Sequence, residues 1–128
     1  MEVLSSRILL RSADPERLTA FYRDQLKLAV AREYPGGVVF HAGTGYIEVP
    51  AHMSDQVATG GGADAMLWLQ VRDAAAATDE LRAADVPIVR EARTEPWGLI
   101  EMHVRDPDDR RIIIVEVPAD HPLRRDTR

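Results

Sequence analysis

Apolar and polar positions along the chain follow one pattern twice. Over Val3–Val30, Ile8 and Leu10 alternate with Arg7, Leu9 and Arg11, which predicts a short strand. A helix start follows. Asp14 suits the N-cap, Pro15 the first helical position, and Leu18, Phe21, Tyr22 and Leu26 recur at helical spacing to form one apolar stripe. Over Ala65–Val89 the arrangement returns as a strand-like run, Asp73 as N-cap, and an alanine-rich helix with Ala77, Leu81 and Ala84 on one face. Pro87 limits that helix. The two capping aspartates lie 73 − 14 = 59 positions apart.

Each predicted helix is followed by strand-like runs, at 38–41 and 46–49 in the first half and at 99–104 and 112–117 in the second. The halves also close alike, on Ile-Glu-Val-Pro-Ala-His from Ile47 and Val-Glu-Val-Pro-Ala-Asp-His from Val115, a likeness that equates Glu48 with Glu116. Asp106–Asp109 (Asp-Pro-Asp-Asp) predicts a hairpin turn, although Gly is the easier fourth residue. The glycine-rich stretch 53–65 reads as a linker, and 119–128 as a polar tail. A repeat of strand, helix and further strands leaves a sheet face in each half that one half alone does not bury. The pattern therefore predicts one α+β domain over residues 1–128 with a mostly antiparallel sheet.

Composition narrows the chemistry. The 128 residues suit one compact domain, and the absence of Cys removes disulfides, thiolate nucleophiles and thiolate metal sites. A net charge of −5 argues against nucleic acid, whose affinity comes from counterions displaced by Lys and Arg. No run approaches the ~20 apolar residues of a membrane span. Without a secretory h-region, a cytoplasmic location is expected.

Ser12–Leu26, Leu69–Val86, Glu95–Arg110 and Ile112–Pro118, in this order and spacing, resemble the vicinal oxygen chelate superfamily of glyoxalases, bleomycin resistance proteins and extradiol dioxygenases. The resemblance implies two βαβββ modules, at about 3–52 and 66–118, curled into a cup with helices outside. It also implies a divalent metal held by His, Glu or Gln on the first and last strand of each module, with open positions for substrate oxygens. The first-strand ligand of that family lies seven residues before the capping Asp, which gives Arg7 and Met66 here. A guanidinium has no free lone pair and a thioether is too soft for such ions. The last-strand ligand falls on Ile113 in the second module, with Glu116 on the opposite face by alternation; in the first module Glu48 is the one carboxylate candidate.

The expectation is therefore a protein without a cofactor that binds a small organic molecule in the cup, as in sequestration or resistance, with enzymatic activity left open. The alternative is a lyase, isomerase or transferase, either metal-dependent through Glu48 and Glu116 or working by acid–base chemistry on Glu101 and His103. Strand alternation turns Ile100, Met102, Val104, Leu67, Leu69 and Val71 toward the helices. That leaves Arg7, Glu48, Met66, Trp68, Gln70, Glu101 and His103 as the candidate ligand-binding residues. Trp97 is placed at a turn on the rim, and the acidic balance suits a cationic ligand. The resemblance implies a homodimer.

Overall fold

The structure, a computed structural model, describes residues 1–56 and 65–123; most of the predicted linker and the end of the predicted tail lie outside the described residues. The chain divides into two compact units, Met1–Ala65 with Asp106–Arg110, and Met66–Arg105 with Arg111–Arg128. Each unit holds one four-stranded mixed sheet. The class is α+β, as the alternation predicts. No described helix is long and apolar enough to cross a membrane.

In the first unit β1 (Ile8–Leu9) leads into helix α1 (Pro15–Ala20), followed by β2 (Val30–Tyr34), β3 (Gly37–Ala42) and β4 (Gly45–Pro50). The sheet order is β1-β4-β3-β2, with β1 parallel to β4 and the other pairs antiparallel. The geometry follows from the connections: β2, β3 and β4 are joined by tight turns that reverse the chain, whereas β1 reaches the sheet through a helix. Asp14 caps α1, its carboxylate accepting from Arg17 N at 3.2 Å, with Pro15 in the first turn. Past Ala20 the helix widens into a π turn over Phe21–Gln25, closed by Leu26 N to Phe21 O at 2.9 Å. Leu18, Phe21 and Tyr22 from the predicted stripe are buried. A short 3-10 helix, Ala51–Gln56, occupies the start of the predicted linker.

A buried polar cluster anchors this unit. The Tyr22 hydroxyl donates to Asp106 Oδ2 at 2.8 Å and Arg110 donates to the same oxygen at 2.5 Å, while Asp106 Oδ1 accepts from the backbone N–H groups of Asp108 and Arg110. Burial, reinforced by the Asp106 carboxylate, pushes the Tyr22 hydroxyl far above its usual range, so it stays a donor. The fourth turn residue, Asp109, takes a left-handed conformation at φ 64°, the place where Gly is easier.

The second unit repeats the plan with β5 (Leu67–Val71), α2 (Ala74–Ala83), β6 (Arg90–Thr94), β7 (Ile100–Arg105) and β8 (Arg111–Glu116), in the order β5-β8-β7-β6. Here too the first strand runs parallel to the last. Asp73 caps α2 through Ala76 N at 3.0 Å. The helix ends in a Schellman motif: Val86 N donates to Leu81 O, Asp85 N to Arg82 O, and Asp85 sits at φ 61°. The buried face of α2 is Ala74, Thr78 and Leu81, with Ala77 and Ala84 only half-buried. A polar Thr is tolerated there because its hydroxyl donates to Ala74 O at 2.8 Å and contacts Met102 S at 3.1 Å.

The strand pairing corrects one expectation. Leu9 pairs with Glu48, and Trp68 pairs with Ile113. Because Leu9 and Trp68 are equivalent about the two capping aspartates, Glu48 is equivalent to Ile113. Glu116 lies three residues further on. The shared Glu-Val-Pro-Ala ending is thus out of register with the fold.

Candidate functional site

Cross-strand partners face the same side of a sheet, so the pairing fixes which residues share each helix-free face. In the first sheet, Phe40 packs its ring beside Tyr22 at 6.4 Å, which puts Ile47 and Val49 on the helix side as well. Leu9, Glu48, Val39 and Arg32 form a row on the other face. There Arg7 Nη1 donates to Glu48 Oε1 at 2.9 Å, and the Tyr34 hydroxyl donates to Glu48 Oε2. Both carboxylate oxygens are engaged, on a residue only 6% exposed. Burial alone raises the Glu48 pKa, but the Tyr34 hydrogen bond and the Arg7 guanidinium outweigh it, and the carboxyl is held below the usual range. Burial and the Glu48 carboxylate raise the Tyr34 hydroxyl in turn. Tyr34 is also flanked by Arg32, 5.0 Å from its ring centroid, and by the His52 ring at 6.2 Å.

In the second sheet, Met102 touches Thr78 of α2, so Glu101 and His103 face away from the helix. One row runs Trp68, Ile113, His103, Arg90 across all four strands, and its neighbour runs Gln70, Val115, Glu101, Arg93. Met66 immediately precedes β5 and is exposed. Five of the predicted ligand-binding residues are therefore gathered at one sheet face, and Arg7 and Glu48 at the other. Trp68 is 49% exposed, not core filling.

The two acid–base candidates are engaged separately. Trp97 Nε1 donates to Glu101 Oε2 at 2.7 Å, and Arg111 Nη1 lies 3.0 Å from His103 Nδ1. Burial, with the charges of Arg90 and Arg111, lowers the His103 pKa and outweighs Glu101 and Glu95. Trp97 sits at a turn closed by Gly98 N to Glu95 O at 2.8 Å, with Gly98 at φ 89°. Of the remaining histidines, His52 Nδ1 is 2.8 Å from Gly36 O and His121 Nε2 is 2.9 Å from Trp97 O, both loop contacts, while the His41 ring on β3 lies beside its cross-strand partner Tyr46 on β4. A depression lined by Arg82, Asp85, Val86, Pro87, Ile88 and Glu91, by the end of α2, contains none of the predicted site residues.

At the four positions where the superfamily places metal ligands stand a guanidinium (Arg7), a carboxylate already ion-paired to it (Glu48), a thioether (Met66) and an isoleucine (Ile113). This donor set does not match what a divalent ion takes. Glu116 is turned to the start of α2, where its Oε1 accepts from Ala74 N at 2.8 Å. Among the described residues no group of three or more His, Cys, Asp or Glu side chains is placed to hold a metal ion.

Two sheets, each with a strand, a helix and three further strands in the same order, define a protein of paired βαβββ modules. The model of the Glyoxalase/Bleomycin resistance protein/Dioxygenase superfamily matches residues 5–114, and the chain belongs to that superfamily. Three solved structures share the fold. Lactoylglutathione lyase from Agrobacterium tumefaciens is 18% identical, with a TM-score of 0.68 over 91% of this chain and 94% of that one. A glyoxalase/bleomycin resistance protein/dioxygenase from Nocardioides is 15% identical, with a TM-score of 0.73 over 97% and 90%. TioX from Micromonospora sp. ML1 is 18% identical, with a TM-score of 0.73 over 91% and 100%. No curated protein matches the chain.

Proposed function

We propose that the protein binds a small organic molecule without a resident metal ion and sequesters it rather than transforming it. The observation that carries this reading is the Arg7–Glu48 ion pair: the one carboxylate at a ligand position accepts from a guanidinium standing at another. An ion entering there must displace both Arg7 and Tyr34 from Glu48. It must also face the guanidinium charge, a repulsion of about 4 kcal/mol per unit of ion charge at ~4 Å and an effective dielectric of about 20. The separate engagements of Glu101 and His103 likewise support binding over acid–base catalysis by that pair. A homodimer is part of the proposal, with sedimentation as its check.

Thermal melts in manganese, nickel or zinc, against chelator, test the reading. The melting temperature is expected to be the same in all of them, and to rise with a bound small molecule whether or not chelator is present. A rise produced by an ion and reversed by chelator would replace sequestration with a metalloenzyme.

A further inference from the structure

We infer that the helix-free face of the second sheet takes a small organic anion carrying an aromatic ring, with Arg111 and His103 holding the anionic group and Trp68 stacking on the ring. This deepens the metal-free binding reading and rests on it. Trp68, Ile113 and His103 are cross-strand neighbours in one row, so the indole and the imidazole stand two strands apart, about 10 Å, with Ile113 as an apolar floor between them. An arene carboxylate fits that span, with ring against indole and floor, and oxygens toward the imidazole. Arg111 lies on the same strand two residues before Ile113 and therefore on the same face.

The charge on this face selects the sign of the ligand. A guanidinium has only donors, so His103 Nδ1 must accept from Arg111, which makes the imidazole neutral with its proton on Nε2. That Nε2–H has no hydrogen-bond partner among the described residues, and Arg111 forms no ion pair with a carboxylate among them. The nearby acids are occupied: Glu101 accepts from Trp97, and Glu95 pairs with Arg90 at 2.5 Å and with Arg93 at 3.2 Å. Glu101 and Glu95 set two negative charges near His103 against the three positive ones of Arg90, Arg93 and Arg111, so a half-buried cation and a neutral N–H face a ligand with positive charge in excess. The lowered His103 pKa agrees, since Arg90 and Arg111 add to burial in disfavouring a second proton. A cationic ligand, suggested by the net charge of −5, meets arginines here.

Calorimetric titration of the full chain with naphthoate, the neutral naphthamide and the cationic naphthylmethylammonium tests the inference. Naphthoate is expected to bind about tenfold or more tighter than either analogue, from charge-assisted hydrogen bonds. Arg111→Gln should bring it down to the level of the amide, Arg111→Lys should retain part of the preference, and Trp68→Leu should weaken all three alike. Melting curves confirm that each variant is folded. Equal or tighter binding of the ammonium compound overturns the anion assignment while leaving metal-free binding standing. Absence of saturable naphthoate binding at millimolar concentration, or an unchanged naphthoate affinity in Arg111→Gln, also overturns it. So does a Trp68→Leu variant that changes the oligomeric state but not the affinity, because Trp68 then belongs to an interface between copies. A requirement for added metal instead removes the reading beneath it.

Discussion

The helix-free faces of the two sheets start from equivalent positions and handle charge differently. On the first, Arg7 is answered by Glu48, whose second oxygen is taken by Tyr34, and Arg32 of the same row lies over the Tyr34 ring. On the second, the residues equivalent to Arg7 and Glu48 are Met66 and Ile113, which carry no charge, while Arg111 donates to a neutral imidazole and forms no ion pair among the described residues. The ligand positions of the duplicated scaffold therefore depart from the superfamily's donor set in two ways. One half sets a guanidinium against its carboxylate, and the other carries apolar groups at both positions with an arginine on the same face.

Asp106 and its partners Tyr22 and Arg110 form a purely structural cluster in the first unit. Asp106→Ala leaves Arg110 and Tyr22 buried without their shared acceptor and should cost about 3–5 kcal/mol in denaturant unfolding. If Arg7–Glu48 were only another such strut, Arg7→Ala would cost as much. Because the Arg7 side chain is 42% exposed, a loss of about 1 kcal/mol or less is expected. Glu48→Gln should fall between the two, at about 1–2 kcal/mol, since it weakens two hydrogen bonds at a buried group.

The pH dependence separates the faces as well. Glu48 has a folded pKa below its ordinary 4.5, so its contribution is complete above that value and is lost as pH falls through the folded pKa. Glu48→Gln should flatten the stability profile below pH 4.5. His103 also has a depressed pKa, so on acidification below 6.5 the unfolded chain takes up a proton that the folded chain refuses. Stability should decline from pH 6.5 downward until the folded pKa is reached, and His103→Phe should remove that part of the slope. The smallest effect lies away from both faces. Asp85→Gly should stabilise by about 0.5–1 kcal/mol, because the Schellman position at φ 61° penalises any side chain; a thermal melt resolves it.

Much of the fold was legible because it rests on local chemistry. Asp14 and Asp73 cap their helices as their sequence contexts predict, and the apolar runs become β3, β4, β7 and β8. What escaped depends on pairing. Strands β2 and β6 read Val-Ala-Arg-Glu-Tyr and Arg-Glu-Ala-Arg-Thr, too charged to register as strands, and both are edge strands, where charge blocks unwanted pairing. Tyr34 was missed for that reason, since it belongs to β2. Arg111 was missed although alternation carried the signal: it shares parity with Ile113, the position checked for a ligand. The false equivalence of Glu48 and Glu116 shows the limit of repeat matching, because four shared residues outweighed a register that only the strand ladder reveals.

The most direct measurement of the central claim is the metal content of protein purified without affinity tag or chelator, determined by elemental analysis against protein concentration. Manganese, iron, nickel and zinc are expected well below one ion per chain, with no gain after dialysis against each. One tightly held ion per chain, lost on substitution of Glu48, would contradict it.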